Sequence, residues 1–193
     1  DTDFAALIQA LASYALNIRN FSPAAALFRR LAEHHRDRRE QEGEAAAYHQ
    51  LGMVAQERRD FETAEEWYQK SLAISEKLGI KHGAASSYHQ LGRIAEERHN
   101  FDTAENWHRK SLAISEKHSN EADIAISYHQ LGRIAEQRRD FSAAEIWHQK
   151  SLVISEKIGD RYGTAGSYHQ LVIISQERRD FDAVQDFLFD LLW

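Results

Sequence analysis

Tyr48-His49-Gln50-Leu51 recurs as Tyr88 to Leu91, Tyr128 to Leu131 and Tyr168 to Leu171, each copy 40 residues after the last. More than the phrase repeats. Phe61, Phe101, Phe141 and Phe181 follow it at one spacing, then Trp67, Trp107 and Trp147, then Ser-Glu-Lys at 75–77, 115–117 and 155–157. A period between about 20 and 50 residues marks an array of supersecondary units that bury their apolar faces only against their neighbours. Such arrays are as a rule binding surfaces, and the scaffold itself does not spell out the partner.

Each period holds two helical patterns. Tyr88, Leu91, Gly92 and Ala95 fall at spacings of three and four, one stripe of a first helix. Ala104, Trp107, His108, Ser111, Leu112 and Ile114 mark a second. Asp102 with Glu105, and Ser142 with Glu145, read as capping boxes opening that second helix, with Asp182 and Gln185 a weaker version. Gly79 and Gly159 read as left-handed end caps. Arg58, Arg59, Arg138, Arg139, Arg178 and Arg179 put cations at the negative ends of the first helices. Residues before Tyr48 keep the register: Leu11, Phe21 and Ala24 stand 40 positions before Leu51, Phe61 and Ala64. There Ser22-Pro23 reads as an N-cap with a proline in the first turn. Gly52, Gly92 and Gly132 sit mid-helix, where glycine costs roughly 1 kcal/mol, so a close helix crossing is expected there, against Ala64, Ala104 and Ala144. Val172 and Val184 replace both sides in the last repeat and predict a wider crossing.

Composition narrows the function. Hydrophobic residues make up 42%, enough for a core. Cysteine is absent, which removes disulfides, thiol catalysis and Cys-ligated zinc and suits a cytoplasmic setting. No apolar run approaches the ~18 residues of a membrane span. The net charge of −6 is a poor match to a dedicated nucleic-acid binder. A chain opening Asp1-Thr2-Asp3, without Met, is expected to be a segment of a longer protein.

Small residues at Gly52 and Ala64, with Tyr48, Leu51, Phe61 and Tyr68 around them, resemble the tetratricopeptide repeat (TPR) over essentially the whole chain. The family's usual period is shorter, and a proline ends its second helix; here Glu76, Glu116 and Glu156 stand in that place. The chain is similar to longer-period arrays of kinesin light chain and LGN/Pins type. The resemblance implies an all-α, right-handed α-solenoid of about five helical hairpins, roughly ten helices, in one domain over 1–193. The repeats run from about 1–43, 44–83, 84–123, 124–163 and 164–193.

It also implies a protein- or peptide-binding scaffold. No Ser-His-Asp, Gly-rich phosphate loop or paired-carboxylate arrangement stands out, so no enzymatic activity, catalytic residue, cofactor or metal is expected. The family's contact stripe, carried over by register, falls on His49, Met53, His89, Arg93, Glu97, His129, Arg133, Gln137 and His169. Arg93 and Arg133 would suit carboxylates of an acidic peptide. Against this, Arg93 could pair with Glu97, and Arg133 with Glu136, on a merely solvated face. The ladder histidines come from successive repeats, too far apart for zinc distances and with no carboxylate in their row. His108 and His148, standing where Tyr68 stands, are expected to be half-buried between helices. In the repeated phrase, tyrosine and leucine are core, and the histidine is expected to be free of packing. The tryptophans read as inter-repeat core. Phe189 and Trp193 add apolar surface to the last helix, a candidate for self-association into a homo-oligomer. Two other functions remain open: a ligand-sensing or self-associating regulatory module of a signalling protein, and an RNA-binding array, which the acidic charge disfavours.

Overall fold

The computed structural model describes residues 2–180, and among them nine helices and no strand occur. These are α1 (Thr2–Asn17), α2 (Phe21–Asp37), α3 (Gln41–Glu57), α4 (Phe61–Leu78), α5 (Lys81–Glu97), α6 (Phe101–Lys117), α7 (Glu121–Gln137), α8 (Phe141–Ile158) and α9 (Arg161–Glu177). The expected tenth helix, with Val184, Phe189 and Trp193, lies outside the described residues.

Each hairpin turns within three residues. Arg58 ends α3, Arg59 turns left-handed at φ 59°, and the Asp60 N–H donates back to the Ala55 carbonyl at 2.9 Å. Asp60 then caps α4, its carboxylate accepting from the Thr63 N–H. Asn100 and Asp140 do the same for Thr103 and Ala143. The cap is therefore two residues earlier than Asp102 and Ser142, because the bend itself supplies it: the residue closing one helix opens the next. Likewise Asn20 precedes α2, without a side-chain cap bond, and Ser22 is already helical.

Gly79 and Gly159 take the left-handed conformation at φ 69° and 70°, as their position implied. Among the described residues seven others do so without being glycine, including Arg19, Arg59 and Arg139. Their guanidinium groups lie 5.6, 5.6 and 5.7 Å from the ring centres of Phe21, Phe61 and Phe141. That contact offsets part of the left-handed cost and gives the phenylalanine two residues on a role at these three turns.

By packing, the chain divides into two compact units, Asp1–Ile94 and Ala95–Trp193. In the first, α1 packs on α2, α2 on α3 and α3 on α4. Its core gathers Ile8, Ala12, Phe28, Leu31, Leu51 and Val54. In the second, α6, α7, α8 and α9 pack in succession. Leu112, Ile124 and Leu131 form one cluster there, and Leu152, Tyr168 and Leu171 another. Trp147 lies on two of its clusters, one with Leu112 and Leu131 and one with Ala135 and Ala144, so it is core between repeats. In α1 the register gives a different result. Leu11 is 46% exposed where Leu51 is buried, and Leu7, Tyr14 and Ile18 extend the same stripe into solvent.

The mid-helix glycines face rings. A Cβ on Gly52 would lie 2.6 Å from the Tyr68 ring, and one on Gly132 would lie 2.5 Å from that of His148. These rings, rather than the expected alanines, are the nearest atoms. The glycine makes room for the residue one helical turn beyond the alanine.

Candidate functional site

The predicted row lies on the first helices, and the histidine in it is not free. His49, His89 and His129 are half-buried, and only His169 is exposed. The His49 ring sits 5.1 Å from that of Tyr68, and the His129 ring meets His148 edge-on at 5.1 Å. The first-helix histidine therefore packs against the ring that fills the glycine gap of its own hairpin. Burial, together with the neighbouring His82, lowers the pKa of His49. Burial beside His148 and Arg133 lowers that of His129 to about 4, so at neutral pH its ring is an uncharged hydrogen-bonding group.

His108 and His148 are fully buried, not half-buried. Nε2 of His108 lies 2.7 Å from Oε1 of Glu96, and Nε2 of His148 lies 2.6 Å from Oε1 of Glu136. At the corresponding place Tyr68 donates to Gln56 at 2.9 Å. Each pair spans 12 residues and joins the end of a first helix to the middle of the second. With Glu136 engaged by His148, Arg133 does not form with it the ion pair of the solvated-face alternative. It reaches Glu96 on α5 at 3.6 Å and donates to Gln130 at 3.1 Å. Arg93 donates to Gln90 at 3.4 Å. Met53 is half-buried, while Arg93, Glu97, Arg133 and Gln137 are exposed.

Beneath this row lie two equivalent cavities, one in each unit. The first, of about 360 Å³, has His49, Gln50, Ser71 and Ser75 in its wall. The second, of about 180 Å³, has His129, Gln130, Ser151 and Ser155 in the same positions. Ser151 donates to the Ala125 carbonyl at 2.9 Å. Sequence reading named His49 and His129 but missed the cavities. The residues that differ between them stand at 42–46, 80–86, 126 and 160–166. Their signal was present as the stretch where the repeats stop agreeing. Among the described residues, no cluster of three or more His, Cys, Asp or Glu could hold a metal ion. No helix among the described residues is long and apolar enough to cross a membrane.

Two tetratricopeptide-repeat profiles match residues 43–117 and 124–158, together more than half of the sequence. The chain belongs to the tetratricopeptide-repeat family. No curated protein sequence matches it. Among solved structures, BtubC (BKLC) from P. vanneervenii aligns with a TM-score of 0.87 at 20% identity, over 95% of this chain and 76% of that one. A putative kinesin light chain of Podosopora anserina with nearly identical TPR-like repeats gives 0.77 at 18%, over 95% and 91%. A Rap protein complexed with competence and sporulation factor gives 0.76 at 13%, over 94% of this chain and 51% of that one. At these identities the likeness is one of fold.

Proposed function

We propose that this TPR chain is a protein-binding scaffold that holds a polypeptide along its first helices, over the row His49, Met53, His89, Arg93, Glu97, His129, Arg133, Gln137 and His169. The observation that carries the reading is the pair of cavities. Two separately packed units each open a pocket at the same point of the repeat, walled by the same histidine, glutamine and two serines. Side-chain pockets beside a row of hydrogen-bonding groups are what recognition of an extended chain uses. The solved Rap protein complexed with competence and sporulation factor lends support, because a chain of this fold is there found with a bound factor.

The arginines have a narrower role in this reading. Arg133 is 46% exposed and only loosely held by Glu96, so it is available to a ligand carboxylate. Panning a random-peptide display library on the chain tests the proposal. Enriched peptides should bind the Arg93→Ala/Arg133→Ala double variant about ten-fold more weakly, with an unchanged melting temperature. Unchanged affinity removes the arginines from the site. Failure to enrich any peptide removes the scaffold reading.

A further inference from the structure

We infer that the cavity between α7, α8 and α9 takes a basic side chain, arginine or lysine, of a bound polypeptide. The inference rests on the reading above and adds which residue this pocket selects.

The two cavities share a floor and differ at the rim. His129, Gln130, Ser151 and Ser155 have identical counterparts 80 residues earlier. Ile126, Asp160, Tyr162 and Gly166 stand where the other cavity has Ala46, Ile80, His82 and Ser86. Shared floor residues are explained by duplication; the rim must be explained by its own chemistry.

That chemistry calls for a hydrogen-bond donor on an apolar stem. Ser155 is 1% exposed, and its hydroxyl has no hydrogen-bond partner. A buried hydroxyl left so is destabilising, and a ligand that donates to it or accepts from it recovers that cost. Asp160 uses Oδ1 to cap α9, accepting from the Tyr162 N–H at 3.1 Å. Its Oδ2 is turned toward Gly163. A Cβ on Gly163 would lie 2.4 Å from that oxygen and 2.6 Å from the Ser155 hydroxyl. Both oxygens thus converge on the side-chain side of Gly163, and only the absence of a Cβ there lets them come so close. A group meeting a carboxylate and a hydroxyl together donates through N–H, and a cationic one does so best.

The mouth supplies the rest. Tyr162 is 91% exposed and Ile126 is 47% exposed. An exposed aromatic ring offers a face to a cation, and Ile126 offers a surface to its methylene stem. His129, neutral at physiological pH, adds no opposing charge. A volume of about 180 Å³ is below the roughly 300–1,000 Å³ of small-molecule sites and suits one side chain. In the other cavity Ile80 replaces Asp160, so the carboxylate over the glycine is missing and the same preference is not expected there.

The peptides enriched on the full chain provide the test, with their affinities measured for three variants. Gly166→Phe plugs the cavity, since a Cβ at 166 meets nothing within 4 Å. Asp160→Asn keeps the helix cap and removes the charge. Tyr162→Ala removes an exposed ring. The expected result is one Arg or Lys at a fixed position in the peptides. Affinity should fall about ten-fold or more in Gly166→Phe and Asp160→Asn, and when that residue is replaced by norleucine. The loss in Tyr162→Ala should be several-fold. Far-UV circular dichroism confirms that the plugged variant is folded. Peptides that bind Gly166→Phe and Asp160→Asn as tightly as the parent overturn the inference and leave the scaffold reading standing. If no peptide is enriched, both fall. A second probe is independent of the library: Nα-acetyl-arginine-N-methylamide should shift the Gly163 and Gly166 amide resonances, and its citrulline counterpart should not. Equal shifts from both overturn the basic-side-chain assignment.

Discussion

In the α3–α4 hairpin the space left by Gly52 is filled by Tyr68, whose hydroxyl donates to Gln56 at 2.9 Å. In the α7–α8 hairpin the space left by Gly132 is filled by His148, 2.6 Å from Glu136. The backbones follow the same register, and Asp60 and Asp140 cap the second helices alike. The first hairpin solves its buried polar problem with a neutral pair, and the second with an ionisable one. Further pairs follow the rule: His108 meets Glu96, and α2 places Phe28 twelve residues after Leu16. Both members change together because a buried polar ring without its acceptor would be costly. The first-helix histidine inherits the consequence. His49 faces a phenol, whereas His129 faces an imidazole and an arginine, and its pKa falls to about 4.

Acid exposes the contrast most strongly. A histidine whose pKa falls from 6.5 to about 4 on folding binds its proton more readily in the unfolded chain. Its stabilising contribution is complete above pH 6.5 and is lost as pH drops toward 4. Between pH 7 and pH 5 this site removes at most about 2 kcal/mol. Urea unfolding at both pH values should show a smaller difference in His129→Gln than in the parent, and a smaller correction from His49→Gln. Equal slopes in the parent and His129→Gln would show that the ring is not held neutral.

The glycines come next. Gly52→Ala and Gly132→Ala each drive a methyl into a ring, costing about 1–3 kcal/mol, with about 0.5–1 kcal/mol returned by helix propensity. Gly166→Ala meets open space and should stabilise by that smaller amount. Thermal melts should therefore move down for the first two and up for the third. A uniform response would mean that the rings swing aside freely and that space is not what keeps the glycines.

The smallest effect is expected where the hairpins agree. Arg59→Gly and Arg139→Gly relieve a left-handed residue by about 1 kcal/mol and lose a stacked guanidinium of about 0.5–1 kcal/mol. Denaturation midpoints should barely change, and should change alike in both. A shift in one alone would mark a difference in the turns that their geometry does not show.

Legibility in the sequence followed the range of each interaction. The hairpin succession, the glycine end caps and the core stripe of Tyr48, Leu51 and their counterparts could be read, because helical periodicity and left-handed caps act over a few residues. The caps themselves lie two residues earlier than the Asp-Glu and Ser-Glu pattern implies. A Ser or Asp followed by Glu is a common pattern, and only the bend showed that Asp60, Asn100 and Asp140 occupy the position. Leu11 shared a register with Leu51 but not its burial, since burial depends on what packs opposite.

The sequence alone determined the TPR hairpins, through a 40-residue period in which every apolar stripe returns on the same helical face. The tertiary structure decided which groups meet: Tyr68 and His148 in the glycine gaps, Arg133 on Glu96, and Ser155 with Asp160 around Gly163. These encounters depend on the rotation and crossing of separate helices. The ring and arginine contacts bring residues 16 to 37 positions apart within a few ångströms, and Ser155 and Asp160 meet across the turn between two helices; no local pattern encodes either.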